Sequence, residues 1–263
     1  MNTYFNIKKQ NTRSFLTVLF LLFSTMSHAH FLWLNPIPDS NKTVRLYFGE
    51  YHENLFESKD TRLAEREAST LKAYFPSSEN GTSIRLRMRD NFYEGKVKTD
   101  KYGLVNLVAQ DIDSPVVDWS KHGIGVIRPM YYARTQWLLF DDKKVSKRIS
   151  PTTPETKLDI LPITQHIDPR TGNFGPKVGE QVVFQVYFDK NPLAEKPKSV
   201  NIFAPNGWIW ESKLNKQGVS RFTPLWEGTY VIEVIHNEQI AGQFQDKDYE
   251  FIRHRATFSL NTK

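Results

Sequence analysis

Short runs of alternating apolar and polar residues, each closed by a turn signal, recur along most of the chain and leave little room for helix. Residues 44–48, 83–88, 181–188, 199–203, 230–235 and 255–260 all carry this period of two, which places one set of side chains on each face of a strand. Asn80-Gly81, Asn206-Gly207, Gln217-Gly218 and Glu227-Gly228 supply turns between the runs. Only residues 61–73, rich in Leu, Ala, Glu and Arg, read as helix. The pattern predicts an all-β chain of two β-sandwich, immunoglobulin-like domains with little helix. Residues 150–155 (SPTTPE) read as a linker. It divides an N-terminal β-rich domain, 30–150, from a C-terminal immunoglobulin-like sandwich, 151–263. No solenoid-period repeat and no low-complexity tract is found.

Residues 1–29 have a different character. Lys8, Lys9 and Arg13 form a basic head with no acid, residues 15–23 (FLTVLFLLF) are apolar, and Ser27-x-Ala29 follows as a small-x-small pattern. These are the three parts of a secretory signal peptide. The apolar run is too short for a bilayer span of roughly 20 residues, and no Cys follows it to carry a lipid. The expectation is export to the periplasm, with a mature chain that begins at His30.

Without the leader, 32 bases face 29 acids, a balance of +3. Much of the chain's basicity therefore belongs to the leader, and no basic run with interleaved aromatics marks a nucleic-acid partner. Arg85, Arg87 and Arg89 alternate and fall on one strand face, read here as solvated. The absence of cysteine means that packing alone must hold the fold, and it rules out thiolate chemistry, Fe–S clusters and Cys-ligated zinc. Any metal must be held by His, carboxylates or the terminal amine.

Processing after Ala29 gives His30 a chemistry that no internal histidine has. Its α-amine and imidazole Nδ1 can chelate one ion in a closed ring, and a further His completes a histidine brace. Nitrogen-rich tetragonal geometry suits Cu(II), and an amine that titrates near about 7.7–8.0 gives up its proton cheaply. The partners expected are His236 and His254. His236 ends the face Tyr230-Ile232-Val234-His236, and His254 lies on the face Ile252-His254-Ala256-Phe258-Leu260. In an antiparallel pairing they meet across the strands. The competing reading is two core histidines satisfied by hydrogen bonds. His52, His122 and His166 read as loop residues, and Glu50, Glu53 and Glu57 as a solvated acidic face. No G-x-S-x-G elbow, P-loop or H-E-x-x-H is present.

The opening His30-Phe31-Leu32-Trp33-Leu34 resembles the start of periplasmic proteins in the domain of unknown function 4198 family, related by name to NikM-like nickel-uptake components. Phe48-Gly49-Glu50, Gly228-Thr229-Tyr230 with the residues up to His236, and Arg253-His254-Arg255-Ala256-Thr257 also resemble that family. The resemblance implies a β-rich periplasmic protein tied to transition-metal handling.

The expectation is thus a periplasmic transition-metal-binding protein for copper or nickel, an accessory in uptake or buffering, with a membrane metal transporter as partner and no nucleic acid. Its metal residues are His30, His236 and His254. Two alternatives stand beside it. One is a copper-dependent oxidase resembling lytic polysaccharide monooxygenases, with Trp33, Trp208, Trp210 and Trp226 stacking on sugars. The other is a metal-free binding module.

Overall fold

The structure, a computed structural model, describes residues 30–37, 42–76, 78, 80–100, 102–139, 152–168, 173–194 and 199–263. Residues 1–29, read as a leader, and the first two residues of the proposed linker lie outside the described residues. Among those described, no helix is long and apolar enough to cross a membrane.

The chain is all-β. Its principal strands are β1 (Phe31–Ile37), β2 (Thr43–Glu50), β3 (Thr70–Tyr74), β4 (Leu86–Met88), β5 (Tyr93–Lys96), β6 (Gly103–Asp111) and β7 (Val126–Leu139). After the linker come β8 (Leu158–Pro162), β9 (Val182–Phe188), β10 (Ser199–Phe203), β11 (Ile209–Lys213), β12 (Val219–Phe222), β13 (Gly228–Glu238) and β14 (Phe251–Thr262). A large central sheet runs β11-β10-β13-β14-β7-β6-β3 and ends on Thr82–Ser83. A smaller sheet, β1-β2-β5-β4, packs against one of its faces, and a third, built around β8, β9 and β12, packs against the other.

Side-chain parity builds these layers. On β7 and β14, Tyr132, Ala256, Phe258 and Leu260 enter the core shared with the third sheet. Tyr131 and Ala133, one residue out of step, enter the core shared with the small sheet. Both faces of the central sheet are therefore buried, as its near-continuous burial along β14 requires. β7 and β14 pair in parallel, Met130 opposite His254. Strands from before and after residues 150–155 thus share one sheet, and a third cluster joins Phe31, Trp33 and Tyr47 to Phe203 and Val231 across the same division.

The small sheet turns the outer edge of β1 toward β14 of the central sheet. Among the described residues, β1 pairs with β2 along one side only. On its other side, Arg255 donates to the His30 carbonyl at 3.2 Å, Thr257 to that of Leu32 at 2.6 Å, and Ser259 to that of Leu34. Donors from β14 thus occupy the edge that β1 would otherwise leave open.

Two local expectations are overturned. Residues 61–73 are not a helix: only Ala64–Arg66 forms a 3-10 turn, and Thr70–Tyr74 is a strand. Leu71 and Ala73 are buried between exposed Thr70 and Lys72, and the strand pairs with β6. Long-range pairing overrides the local helix preference. Residues 83–88 are not one strand either. Thr82–Ser83 pairs with β3 in the central sheet, whereas Leu86–Met88 pairs with β5 in the small one. The chain changes sheets at Ile84-Arg85.

Candidate functional site

The register of β13 and β14 sets His236 directly opposite His254, as the face pattern predicts. Their ring centroids lie 6.3 Å apart. His254 is fully buried, with Nδ1 3.0 Å from the Tyr132 hydroxyl and Nε2 3.0 Å from Glu238. Lys157 reaches the same Glu238 at 3.3 Å, and the His236 ring packs 4.0 Å from Phe188. Burial pushes the His254 imidazole below its usual range, only partly offset by Glu238.

The three-histidine site is not assembled. His254 faces the third sheet, with Ala256 and Phe258, whereas the next residue, Arg255, faces the other way and holds the His30 carbonyl. His30 therefore lies across the central sheet from His236 and His254. The parity that brings those two together excludes His30 from them.

His30 has different neighbours. Its Nδ1 is 3.2 Å from Glu50 and its Nε2 is 2.5 Å from Glu57. Here the acidic cluster departs from the solvated face expected of it. The Glu50 side chain is 2% exposed and that of Glu57 is 13% exposed. The signal lay in the strand pattern: Glu50 continues the inward face Val44-Leu46-Phe48. Glu57 enters through the turn Tyr51–Asn54, which returns the chain beside Gly49, whose φ is +151°. A Cβ on Gly49 would run into the Leu55 carbonyl, so only glycine lets Leu55–Phe56 fold back onto the end of β2.

The electrostatics are those of a small anionic site. Burial raises the Glu57 carboxyl, but its bond with Thr61, the attraction of His30 and the Arg62 backbone N–H outweigh that and hold it below its usual range. Arg255 is neutralised by a buried ion pair with Glu233. Among the described residues, Glu50 Oε2 is buried with no hydrogen-bond donor, and the buried His30 Nδ1 meets only the other Glu50 oxygen, at ion-pair distance. A buried carboxylate oxygen without a donor costs roughly 1–3 kcal/mol, so Glu50 Oε2 calls for a partner. Glu50 also belongs to a second set: Glu50, His52 and Glu53 can present ligand atoms within 4.8 Å of one another. His52 is not a free surface loop residue. It lies in the 3-10 turn Tyr51–Glu53 and stacks on Phe203 at 5.1 Å. His122 and His166 do lie outside the main strands.

The tryptophans divide. Trp33 is core, stacked on Tyr47 at 5.2 Å. Trp208, Trp210 and Trp226 line a separate cavity of about 380 Å³ at the β11 edge.

No family model matches the chain, and no curated protein matches it. Among solved structures it is similar to one described as "Structural insight into host cell surface retention of a 1.5-MDa bacterial ice-binding adhesin". The match has 11% identity and a TM-score of 0.25, and covers 88% of this chain and 63% of that one. The chain thus spans less than two thirds of that protein's length. A likeness at this level carries no functional argument.

Proposed function

We propose that the protein is an exported transition-metal-binding protein for copper or nickel, which buffers the ion or passes it to a membrane metal transporter. Its site is centred on His30 and Glu50 in place of the expected His236 and His254, with Glu57 bonded to the far ring nitrogen, Nε2, where it orients the imidazole. The observation that carries this reading is the meeting of His30 Nδ1 with the buried Glu50 carboxylate at 3.2 Å, whose second oxygen has no donor among the described residues, at the residue whose amine processing would free. An amine, an imidazole and a carboxylate form the mixed N,O set that tetragonal Cu(II) or Ni(II) accepts. The resemblance of the strand openings to the metal-uptake-associated family points the same way. His30 and the amine would hold the ion, and Glu50 would balance its charge.

Calorimetric titration of Cu(II) and Ni(II) into protein beginning at His30 tests the reading. A tight site is expected, lost in His30→Ala and weakened about tenfold or more in Glu50→Gln. One extra residue ahead of His30 removes the free amine and should weaken binding comparably. His236→Ala should leave it unchanged. Equal affinity in the parent and His30→Ala would refute the proposal.

A further inference from the structure

The corner where the chain changes sheets, at Ile84-Arg85, encloses a cavity of about 590 Å³. Its walls carry Arg85, Arg87, Arg89, Lys96 and Lys98, with Glu94 as the one acid. The hydroxyls of Thr82 and Ser83 stand at one side, contributed by the central sheet. Arg87 and Glu94 are opposite each other in the small sheet.

Two features set this corner apart from an ordinary solvated face. First, its cations are not compensated. Glu94 is taken by Arg89 at 2.7 Å. That bond holds its carboxyl below the usual range against a small effect of burial, with Lys96 and Arg45 adding attraction. Arg85, Arg87, Lys96 and Lys98 have no carboxylate within ion-pair distance among the described residues. Second, the excess is local. From His30 onward the chain carries 32 bases and 29 acids, so the net charge of this one cavity exceeds that of the remaining chain. Protein surfaces normally intersperse the two signs. Gathering like charges into a concavity focuses a field that attracts the opposite charge.

We propose that this corner is a binding site for a ligand carrying two or more phosphate groups. Guanidinium forks match phosphate oxygens bidentately, and lysines add mobile point charges beside them. A phosphate monoester carries about −1.5 to −2 at neutral pH, so two of them balance the four uncompensated cations. Arg85 stands at the corner, Arg87 in β4 and Lys96 in β5, so the uncompensated cations come from separate points of the wall and address separate groups rather than one. A single phosphate is too small to fill the cavity. The ligand is either free or the head of a phosphorylated lipid, and the chemistry of recognition is the same for both.

Inorganic tripolyphosphate is the probe, titrated calorimetrically into the whole protein at about 20 mM and about 300 mM salt, a range over which screening of exposed charges rises steeply. Binding is expected at low salt, weaker by at least about tenfold at high salt. It should also be at least about tenfold weaker in Arg85→Gln/Arg87→Gln, whose side chains are exposed and whose melting temperature should match the parent. Orthophosphate should bind far more weakly. His30→Ala should leave tripolyphosphate binding intact, which separates this site from the metal proposal. Vesicles of phosphatidylcholine with phosphatidylinositol bisphosphate, whose head carries several phosphates, separate the two sources. Sedimentation with them, reversed by tripolyphosphate, supports a lipid-borne ligand, and tripolyphosphate binding without sedimentation supports a free one. Tripolyphosphate affinity unchanged by Arg85→Gln/Arg87→Gln, or absent at low salt, would overturn the proposal.

Discussion

At the scale of single residues, His254 shows how burial turns a titratable group into a stability term. Burial holds its folded pKa below the ordinary imidazole value of about 6.5. The unfolded chain therefore binds the proton first as pH falls. The fold keeps this contribution in full above about pH 6.5 and loses it progressively below that. His254→Gln keeps an amide between Tyr132 and Glu238 and removes the titration. Urea midpoints between about pH 7 and pH 5 should fall less in this variant than in the parent; parallel slopes would assign the acid sensitivity elsewhere. Glu57 and Glu238, both held below their usual range, act at lower pH, where their protonation removes stability in turn. Arg134 offers a second residue-scale test. It makes a bidentate pair with Asp159, at 2.8 and 2.7 Å, inside the core. Asp159→Ala leaves that guanidinium buried and unpaired, which should cost about 3–5 kcal/mol in chemical denaturation.

At the scale of elements, β1 depends on side chains from a different sheet. Thr257→Val keeps the volume but removes the donor to the Leu32 carbonyl. The expected loss is about 1–3 kcal/mol, with faster amide exchange along β1 and β2 than along β9. Exchange unchanged in β1 would mean that packing of Phe31 and Trp33, not the edge bonds, holds the strand. Because His30 opens β1, the same variant should weaken the proposed metal site without touching any ligand.

For the whole molecule, the central sheet has a core on each face. β7 touches both cores: Tyr131 and Ala133 on one side, Tyr132 on the other. Disturbing either core therefore disturbs the strand that supports the other. Calorimetry should show a single transition whose calorimetric and van't Hoff enthalpies agree. Residues 30–150 expressed alone lack β14, the strand paired to β7 and the source of the donors to β1. They should show no cooperative transition; a sharp one would mean that the first core is self-sufficient.

The class of fold, the strands β2, β9, β10, β13 and β14 and the meeting of His236 with His254 were legible from the sequence, because a period of two states which residues share a face. Glu50 reads as part of a solvated acidic face, although the same period, carried one step beyond the apolar run of β2, points it inward. What the alternation cannot state is which sheet a strand belongs to, or what covers its edge. Residues 83–88 alternate throughout yet divide between two sheets, and residues 61–73 change from expected helix to strand once β6 is beside them. His30 was a candidate ligand from the sequence alone, because an expected cleavage site is a local pattern of residues. Its partners were decided only in three dimensions. Arg255 and His254 are neighbours in the chain but point to opposite faces of the central sheet, and the face that took β1 gave His30 two carboxylates instead of two histidines.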